Sequence, residues 1–197
     1  MTRPNARATV LVMTVYDILP TPVGALLLAA EEAGLTVVAF EPHEGRWAPA
    51  AEWRRVGHDA GDESDAASRV LAEARAQLAA YFAGERTTFT VPLAPRGTPF
   101  QRRVWLALRA IPHGETISYL ELARRVGDPR AVRAVGGANG RNPLPVIVPC
   151  HRVIGADGSL TGFGGGIERK RWLLEHEGAR LAGAAASHEE EQQQLAL

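Results

Sequence analysis

The chain has a single cysteine, Cys150, which His151 follows directly in the Val-Pro-Cys-His-Arg run of residues 148–152. A free thiol has a pKa of about 8.5, and a nearby imidazole that takes its proton produces the reactive thiolate. Neighbouring side chains in an extended segment point to opposite sides, so His151 reaches the sulfur only through a local turn or a bridging water. A buried structural cysteine is the alternative interpretation. This run alone leaves the two interpretations equal.

Length and composition predict a globular protein in a reducing compartment. The 197 residues are 46% apolar, enough for one large domain or two small ones. No stretch approaches the roughly 20 apolar residues of a membrane span and no signal-peptide pattern is present, so we expect a cytoplasmic protein without membrane contact. One cysteine can form neither an internal disulfide nor a thiolate cluster for a metal. We expect no metal site and no cofactor.

The formal net charge is zero, but the charges are segregated along the chain. Residues 95–152 carry 10 basic and 3 acidic side chains, whereas residues 1–94 and 153–197 are both net negative. All ten basic residues of the middle segment are arginines, which suit bidentate contacts to phosphate. The segment therefore predicts a polyanionic partner, with a solvated charged surface as the alternative.

Helix-start signals predict a helix-turn-helix inside this basic segment. Ser118 and Glu121 have the spacing of a capping box, and Gly127 ends the first helix. Asp128 is a good N-cap, so a second helix is expected over residues 129–139.

The second of these helices has the composition of a helix that enters a nucleic-acid groove. Arg130 and Arg133 lie in its first turns, and small residues such as Ala134 and Gly136 follow. A slim helix with local positive charge favours DNA binding. Packing of the small residues against a core is the alternative.

The remaining patterns predict an α+β fold, with a small N-terminal domain of a hairpin-rich sheet and a helix, and a mostly helical C-terminal domain. Strands are expected, from β-branched and apolar runs, at residues 9–19, 24–30, 35–40 and 87–91. Helices are expected, from helical periodicity, at residues 66–82, 100–110 and 168–177. A proline-rich linker divides residues 1–94 from residues 95–180, and residues 181–197 predict a flexible tail.

In order and spacing, the C-terminal motifs resemble those of the O6-alkylguanine-DNA alkyltransferase family. The resemblance covers residues 95–180, and residues 1–94 resemble the family's N-terminal domain more loosely, chiefly through the Thr-Pro-Val-Gly run of residues 21–24. No single motif carries the resemblance, but the ordered set does. The matching motifs are Tyr119, the helix over residues 128–139, Arg141 to Pro143, residues 149–152, the glycine-rich residues 158–166 and residues 172–178.

The resemblance implies DNA repair by direct alkyl transfer. A protein of this family moves the alkyl group of O6-alkylguanine, and by extension of O4-alkylthymine, from double-stranded DNA onto its own cysteine. The implied activity is that of a methylated-DNA–protein-cysteine S-methyltransferase that acts once per molecule, after the damaged base is flipped out of the duplex. We expect a monomer, with cooperative assembly on DNA left open.

The resemblance also implies a role for each of five residues. Cys150 matches the alkyl acceptor, His151 its base acting through a water, and Glu177 the carboxylate that orients the histidine. Asn142 matches the hinge asparagine between the recognition helix and the active-site strand. Tyr119 matches the tyrosine that donates a hydrogen bond to the departing guanine.

The DNA-contacting and pocket residues are implied by the same match. Arg133 matches the arginine that fills the space of the flipped base, with its helix in the minor groove. Gly164 begins a run of three glycines, so we expect room for adducts larger than methyl. The residues implied to contact DNA are Arg130, Arg133, Ala134, Gly136 and Arg141. The residues implied to line the pocket are Tyr119, Pro145, Val153 and Gly164.

Two other function classes remain open from the sequence. A protein that binds alkylated DNA without reacting needs no cysteine, and Cys150 argues against it. A cysteine hydrolase built from Cys150, His151 and Glu177 would turn over, and it would need no arginine-bearing helix. The three classes predict different fates for the alkyl group.

Overall fold

The computed structural model describes residues 13–41, 49–56 and 65–180. The described chain begins with a four-stranded sheet, continues through one helix packed on that sheet, and then forms four further α-helices. This arrangement confirms the predicted α+β class. No helix within the described ranges is both long and apolar enough to cross a membrane. The predicted tail, residues 181–197, lies outside the described residues.

The sheet is built on a β-hairpin that the sequence predicted. Strand β2 (Leu26–Glu31) pairs antiparallel with both β1 (Val15–Leu19) and β3 (Gly34–Phe40). The short β4 (Arg54–Arg55) pairs parallel with β1. The predicted strand over residues 9–19 is confirmed from Val15 onward, and its first four residues lie outside the described ranges. β2 is buried along its whole length because strands flank it on both sides and a helix covers it.

The strand predicted over residues 87–91 is wrong, because this segment is irregular. The side-chain oxygen of Gln77 accepts hydrogen bonds from the backbone N–H groups of Thr90 (2.9 Å) and Val91 (3.3 Å). Consecutive N–H groups of a strand point to opposite sides, so two neighbouring donors that converge on one side-chain oxygen do not fit a regular strand.

Helix α1 spans Ala66–Phe82, the range that helical periodicity predicted. Asp65 caps its first turn with a side-chain oxygen. Its apolar stripe packs on the sheet and ends in Tyr81, whose side chain is fully buried.

Helix α2 (Pro99–Arg109) begins and ends one residue before its predicted bounds. A capping box fixes its start, since Thr98 accepts from the backbone of Gln101 while the side chain of Gln101 accepts from the backbone of Thr98. On the buried face, the indole N–H of Trp105 donates to the carbonyl oxygen of Ala138 at 2.9 Å. This bond ties α2 to a helix more than thirty residues later in the chain.

The first of the two helices predicted for the basic segment is confirmed. Strand β5 (Ile117–Ser118) leads into α3 (Tyr119–Val126), and the hydroxyl of Ser118 accepts from the backbone N–H of Glu121 at 3.1 Å. Gly127 ends the helix in the left-handed conformation at φ 93°, which favours glycine.

The second helix, α4 (Val132–Gly140), begins later than predicted, so the predicted start at residue 129 is wrong. The side chain of Asp128 accepts from the backbone N–H of Arg130 at 3.0 Å, and its carbonyl accepts from that of Ala131 at 3.0 Å. These bonds close a turn in place of a first helical turn. Arg130 therefore lies before α4. That α3 and α4 act as a DNA-binding helix-turn-helix stays a prediction.

The cysteine begins a short 3-10 helix, Cys150–Arg152, instead of lying in the strand that the resemblance implied. Strand β6 (Val153–Ile154) follows and pairs parallel with β5. The last helix, α5, spans Ile167–His176 and was predicted over residues 168–177. Glu177 is its C-terminal cap residue.

One hydrophobic core joins the sheet to the helical part. Buried residues from both parts, among them Leu28, Leu78 and Leu173, belong to a single cluster. The backbone N–H of Val38 in β3 also donates to the carbonyl of Pro143, beyond α4, at 2.8 Å. The two predicted domains are therefore packed against each other, while the predicted boundary between them stays a prediction.

Replacing Gln77 with alanine should lower the free energy of unfolding by about 2 kcal/mol, because the backbone N–H groups of Thr90 and of the buried Val91 lose their acceptor. Urea unfolding followed by circular dichroism measures the change. Glu73→Ala is the matched control, since Glu73 is an exposed partner of the same glutamine and its loss should cost less than about 0.5 kcal/mol. Equal losses in the two variants would contradict this account of the irregular segment.

Candidate active site

Cys150 borders a cavity of about 230 Å³ between the sheet and the helical part. Residues from β3, from the end of α4 and from the loop that follows it form part of the wall, and the glycine-rich residues 162–165 form the rest. The cysteine residue is 5% exposed, so its sulfur faces the outside only through this cavity.

Two of the four residues implied to line the pocket border this cavity. Pro145 and Gly164 line it, whereas Val153 and Tyr119 do not. Val153 is fully buried in β6, and its carbonyl accepts a hydrogen bond from Lys170. Its contribution to the site is thus a backbone contact.

Tyr119 lies beside the cavity at the start of α3. Its hydroxyl is 3.3 Å from the carbonyl oxygen of Thr161 and 3.4 Å from that of Gly162, which borders the cavity. Gly162 has φ 59°, and a Cβ added there would come within 2.9 Å of the hydroxyl. Burial raises the pKa of Tyr119, so the phenol keeps its proton and acts as a donor.

The carboxylate of Glu177 is buried and accepts hydrogen bonds from four residues. Oε1 accepts from His151 Nε2 (2.9 Å), Arg152 Nη2 (2.9 Å) and the hydroxyl of Tyr81 (2.8 Å). Oε2 accepts from Arg152 Nε (2.8 Å) and the backbone N–H of Gly114 (3.4 Å). Burial acts to raise the pKa of Glu177, but the bonds from His151 and Arg152 outweigh it and hold the pKa well below its usual range.

These contacts fix the tautomer of His151. Because a carboxylate can only accept, Nε2 must carry the proton that it donates to Glu177. Nδ1 is buried and has no hydrogen-bond partner among the described residues. Burial lowers the pKa of His151 against the opposing effect of Glu177, so the ring is neutral and Nδ1 is its basic atom.

The thiol of Cys150 is protonated at neutral pH. Burial raises its pKa to about 11, although a hydrogen bond from Asn142 and the charge of Lys170 act to lower it. A resting thiol requires a base before it can react as a nucleophile, and His151 is the adjacent candidate.

Asn142 closes the loop that leads to the cysteine. Its side-chain N–H donates to the carbonyl of Val148 at 2.7 Å, and its side-chain oxygen accepts from the backbone N–H of Leu144 at 3.0 Å. Inside this loop the buried Val146 has φ 74°, a conformation that β-branched residues rarely adopt. The asparagine therefore clamps a strained loop directly before Cys150.

Lys170 lies beneath the site in α5 and is fully buried. Its ammonium group donates to the carbonyl oxygens of Val153 and Thr161, each at 2.6 Å. Burial lowers its pKa to about 8. The lysine joins the segment after the cysteine to the glycine-rich loop of the cavity.

The residues implied to contact DNA lie along α4 and at its two ends. Arg133 and Ala134 are exposed in its first turn, Gly136 is half-buried, and Arg130 and Arg141 are exposed before and after the helix. A phosphate backbone can approach this face without meeting a bulky apolar side chain. Contact with DNA stays a prediction.

Sequence reasoning missed three buried residues around the site, namely Tyr81, Arg152 and Lys170. Tyr81 is separated from Glu177 by 96 positions, so no spacing rule connects them. Arg152 belongs to the motif of residues 149–152, but the resemblance implies no role for it. Lys170 carried a signal, because it is the only lysine in the chain and stands three positions before Leu173 on the apolar face of α5.

Two family models match the chain. The first, described as 6-O-methylguanine DNA methyltransferase, DNA binding domain, matches residues 99–179. The second, described as 6-O-methylguanine DNA methyltransferase, ribonuclease-like domain, matches residues 14–95. Between them they take in most of the chain.

Individual proteins are similar over nearly their full length. The chain is 48% identical over 164 residues to the methylated-DNA--protein-cysteine methyltransferase of Methanosarcina acetivorans, which covers 83% of this chain and 98% of that protein. It is 50% identical over 170 residues to the protein of the same name from Mycobacterium tuberculosis, which covers 84% and 93%.

Solved structures from M. tuberculosis share the fold. The O6-methylguanine methyltransferase superimposes with a TM-score of 0.73 at 46% identity, covering 89% of this chain and 99% of that one. OGT in complex with DNA superimposes with a TM-score of 0.71 at 49% identity, covering 83% and 92%.

The thiolate absorbance of the native protein, minus that of Cys150→Ser, should titrate with a midpoint near 11, because burial disfavours the thiolate. The subtraction cancels the tyrosines, which ionise in the same pH range. In denaturant the midpoint should return to about 8.5. A native midpoint at or below that value would mean a resting thiolate and would contradict the assignment.

The same shift fixes the sign of a stability change. Because the folded pKa of Cys150 is the higher one, its stabilising contribution is complete below the unfolded pKa and is lost as pH rises through about 11. Urea unfolding of the wild type and Cys150→Ser should therefore show their difference in stability changing over this interval, at the expense of the wild type.

Proposed function

Because the chain belongs to the O6-methylguanine DNA methyltransferase family, we propose that it repairs DNA by moving an alkyl group from guanine O6 to the sulfur of Cys150. One observation carries the proposal: the only cysteine of the chain borders a cavity and is followed by a neutral histidine that a buried carboxylate holds. No other thiol is present in the sequence to accept the group.

The reaction begins with a proton transfer. Nδ1 of His151, directly or through one water, takes the proton of the Cys150 thiol, and Glu177 stabilises the imidazolium through Nε2. The thiolate attacks the alkyl carbon, so that an S–C bond forms while the C–O6 bond breaks and its electron pair leaves with guanine. The thioether offers water no good leaving group, so each molecule acts once.

The departing guanine needs a hydrogen-bond donor, because negative charge develops on its ring. Tyr119 is the candidate, since its phenol is protonated and lies beside the cavity. Its present contacts, 3.3 Å and 3.4 Å long, are weak ones. The hydroxyl can therefore move to the N3 atom of the base without losing a strong bond.

The substrate oxygen lies inside the duplex, so the base must be flipped out at a cost of a few kcal/mol. We assign to Arg133 the role of filling the vacated stack from the minor groove, and its exposure in the first turn of α4 supports this assignment. The flanking arginines Arg130 and Arg141 supply contacts to phosphate. Such contacts are independent of sequence, which suits damage at any guanine.

The same chemistry extends to O4-alkylthymine, whose alkyl group is also carried on an exocyclic oxygen. A cytoplasmic location fits this function, because a reducing compartment keeps Cys150 as a thiol. Binding as a monomer, and cooperativity along DNA, stay predictions.

Incubation with a duplex carrying labelled O6-methylguanine should leave about one methyl group on each protein molecule. Cys150→Ser should accept none, because a serine hydroxyl is a far weaker nucleophile toward saturated carbon. Label retained by the denatured protein, located by mass spectrometry of its peptides, measures the transfer.

The two competing function classes give other outcomes of that experiment. Repeated release of free product would identify a hydrolase, and binding of the duplex without transfer would identify a non-reactive DNA-binding protein. Either result would overturn the proposal.

The cavity wall supports acceptance of adducts larger than methyl. A Cβ added at Gly164 would have the carbonyl oxygen of Gly140, 4.0 Å away, as its nearest neighbour, so this part of the wall is open. On another side the rings of Phe40 and Phe163 pack edge to face at 5.6 Å. This apolar wall suits an aromatic adduct.

Wild-type protein should accept benzyl from O6-benzylguanine in duplex DNA, and Gly164→Leu should slow benzyl transfer by about tenfold or more relative to methyl transfer. The added side chain would occupy the open part of the wall. Single-turnover rates with the two adducts measure the effect, and the methyl rate of the same variant is the internal control. Rejection of benzyl by the wild type would contradict the open-wall hypothesis.

A further inference from the structure

The hydroxyl of Tyr81 reaches the proposed proton-transfer site from the N-terminal part of the chain. It comes from the end of α1, the helix on the sheet, and donates to Oε1 of Glu177 at 2.8 Å. We propose that Tyr81 is a positioning residue for alkyl transfer, holding Glu177 in the orientation in which it supports His151. This inference rests on the proposed function of Cys150.

Tyr81 holds two consecutive residues at the end of α5. Its carbonyl oxygen is 2.8 Å from Nε2 of His176, and its hydroxyl binds the neighbouring Glu177. Its ring is fully buried, with the rings of Phe89 and His176 at centroid distances of 5.5 Å and 5.2 Å. A side chain packed on several sides has little rotational freedom, so its hydroxyl is a fixed donor.

The hydroxyl shares its acceptor with the histidine. Oε1 of Glu177 accepts three hydrogen bonds of 2.8 to 2.9 Å, from Tyr81, His151 and Arg152. A carboxylate oxygen has only two lone pairs, so the three donors compete for them. The three donors therefore divide the negative charge of one atom. The hydrogen bond between Glu177 and His151 is therefore weaker when Tyr81 also donates to Oε1 and stronger when it does not.

Loss of this donor would act on the histidine in a defined direction. With fewer donors, Oε1 carries more negative charge toward His151 and favours its protonated form. The pKa of the histidine would rise, and a larger fraction of the protein would lack a free base near neutral pH. The carboxylate would also gain freedom to rotate away from the geometry that serves proton transfer.

The alternative is a purely structural role, in which the hydrogen bond to Glu177 only satisfies the buried hydroxyl of Tyr81, as is usual for buried tyrosines. A structural role of this kind predicts fewer folded molecules, each reacting normally. Single-turnover chemistry separates the two cases, because the final amount of transferred methyl counts active molecules while the rate reports on each active site.

Tyr81→Phe removes one oxygen and keeps the ring. We expect about one methyl transferred per molecule, as in the wild type, at a rate about tenfold lower, the effect of losing a hydrogen bond to a charged group. The acidic limb of the pH–rate profile should move to higher pH. Affinity for an unmodified duplex should not change, since the hydroxyl is buried and its hydrogen bond goes to Glu177, not to α4.

Tyr16→Phe is the matched control, because Tyr16 lies in β1 of the sheet on which α1 packs, beside Trp53 at a ring distance of 6.5 Å. It should retain the wild-type rate and pH profile. Both variants keep the other titratable or charged groups around His151, so that the comparison isolates the hydroxyl. These groups are Cys150, Arg152, Lys170, Glu177, His113 and His176.

Two results would overturn the inference. In the first, Tyr81→Phe transfers about one methyl group per molecule with the wild-type rate and pH–rate profile. In the second, Tyr81→Phe transfers less methyl in total, but its active molecules react with the wild-type rate and pH–rate profile. A wild type that transfers no methyl would instead defeat the proposed function. The experiment therefore distinguishes failure of the inference from failure of the function on which it rests.

Discussion

The buried carboxylate of Glu177 is the constraint that the rest of the structure satisfies. An ionised carboxylate is stable away from water only with nearly all of its acceptor sites filled. Its donors come from α1, from the loop after α2 and from the 3-10 helix of the cysteine. These segments are distant in sequence, so the charge can be buried only when sheet and helices are packed together. Burial, assisted by the charge of Arg152 on the same carboxylate, lowers the pKa of His151 and leaves the histidine uncharged at rest.

Much of the fold could be predicted from local signals, because local chemistry determines it. The helix over residues 66–82 follows from its periodicity, and the β2–β3 hairpin follows from two apolar runs around a turn. The errors arose where a side chain replaced a backbone partner. Asp128 closes a turn with its own carboxylate and delays α4, and Gln77 binds the backbone groups of the segment predicted as a strand.

Less of the site could be predicted. The local run around Cys150 left packing and chemistry equally plausible, and resemblance to a family supplied the assignments of Glu177 and Asn142. The contact of Tyr81 with Glu177 joins the first and the last described α-helix, 96 positions apart, and no sequence spacing indicates it. Such contacts are decided by tertiary packing, which single-sequence patterns do not encode.

The solitary Lys170 has a practical consequence. All the other Lys and Arg positions of the sequence are arginines, and Lys170 is fully buried. The folded protein therefore exposes no lysine ε-amine. Reagents that acylate or cross-link lysine can reach that nitrogen only when the segment around the thiol opens. Acylation measured at Lys170, in the peptide that contains it, therefore reports local unfolding next to the nucleophile without any engineered probe.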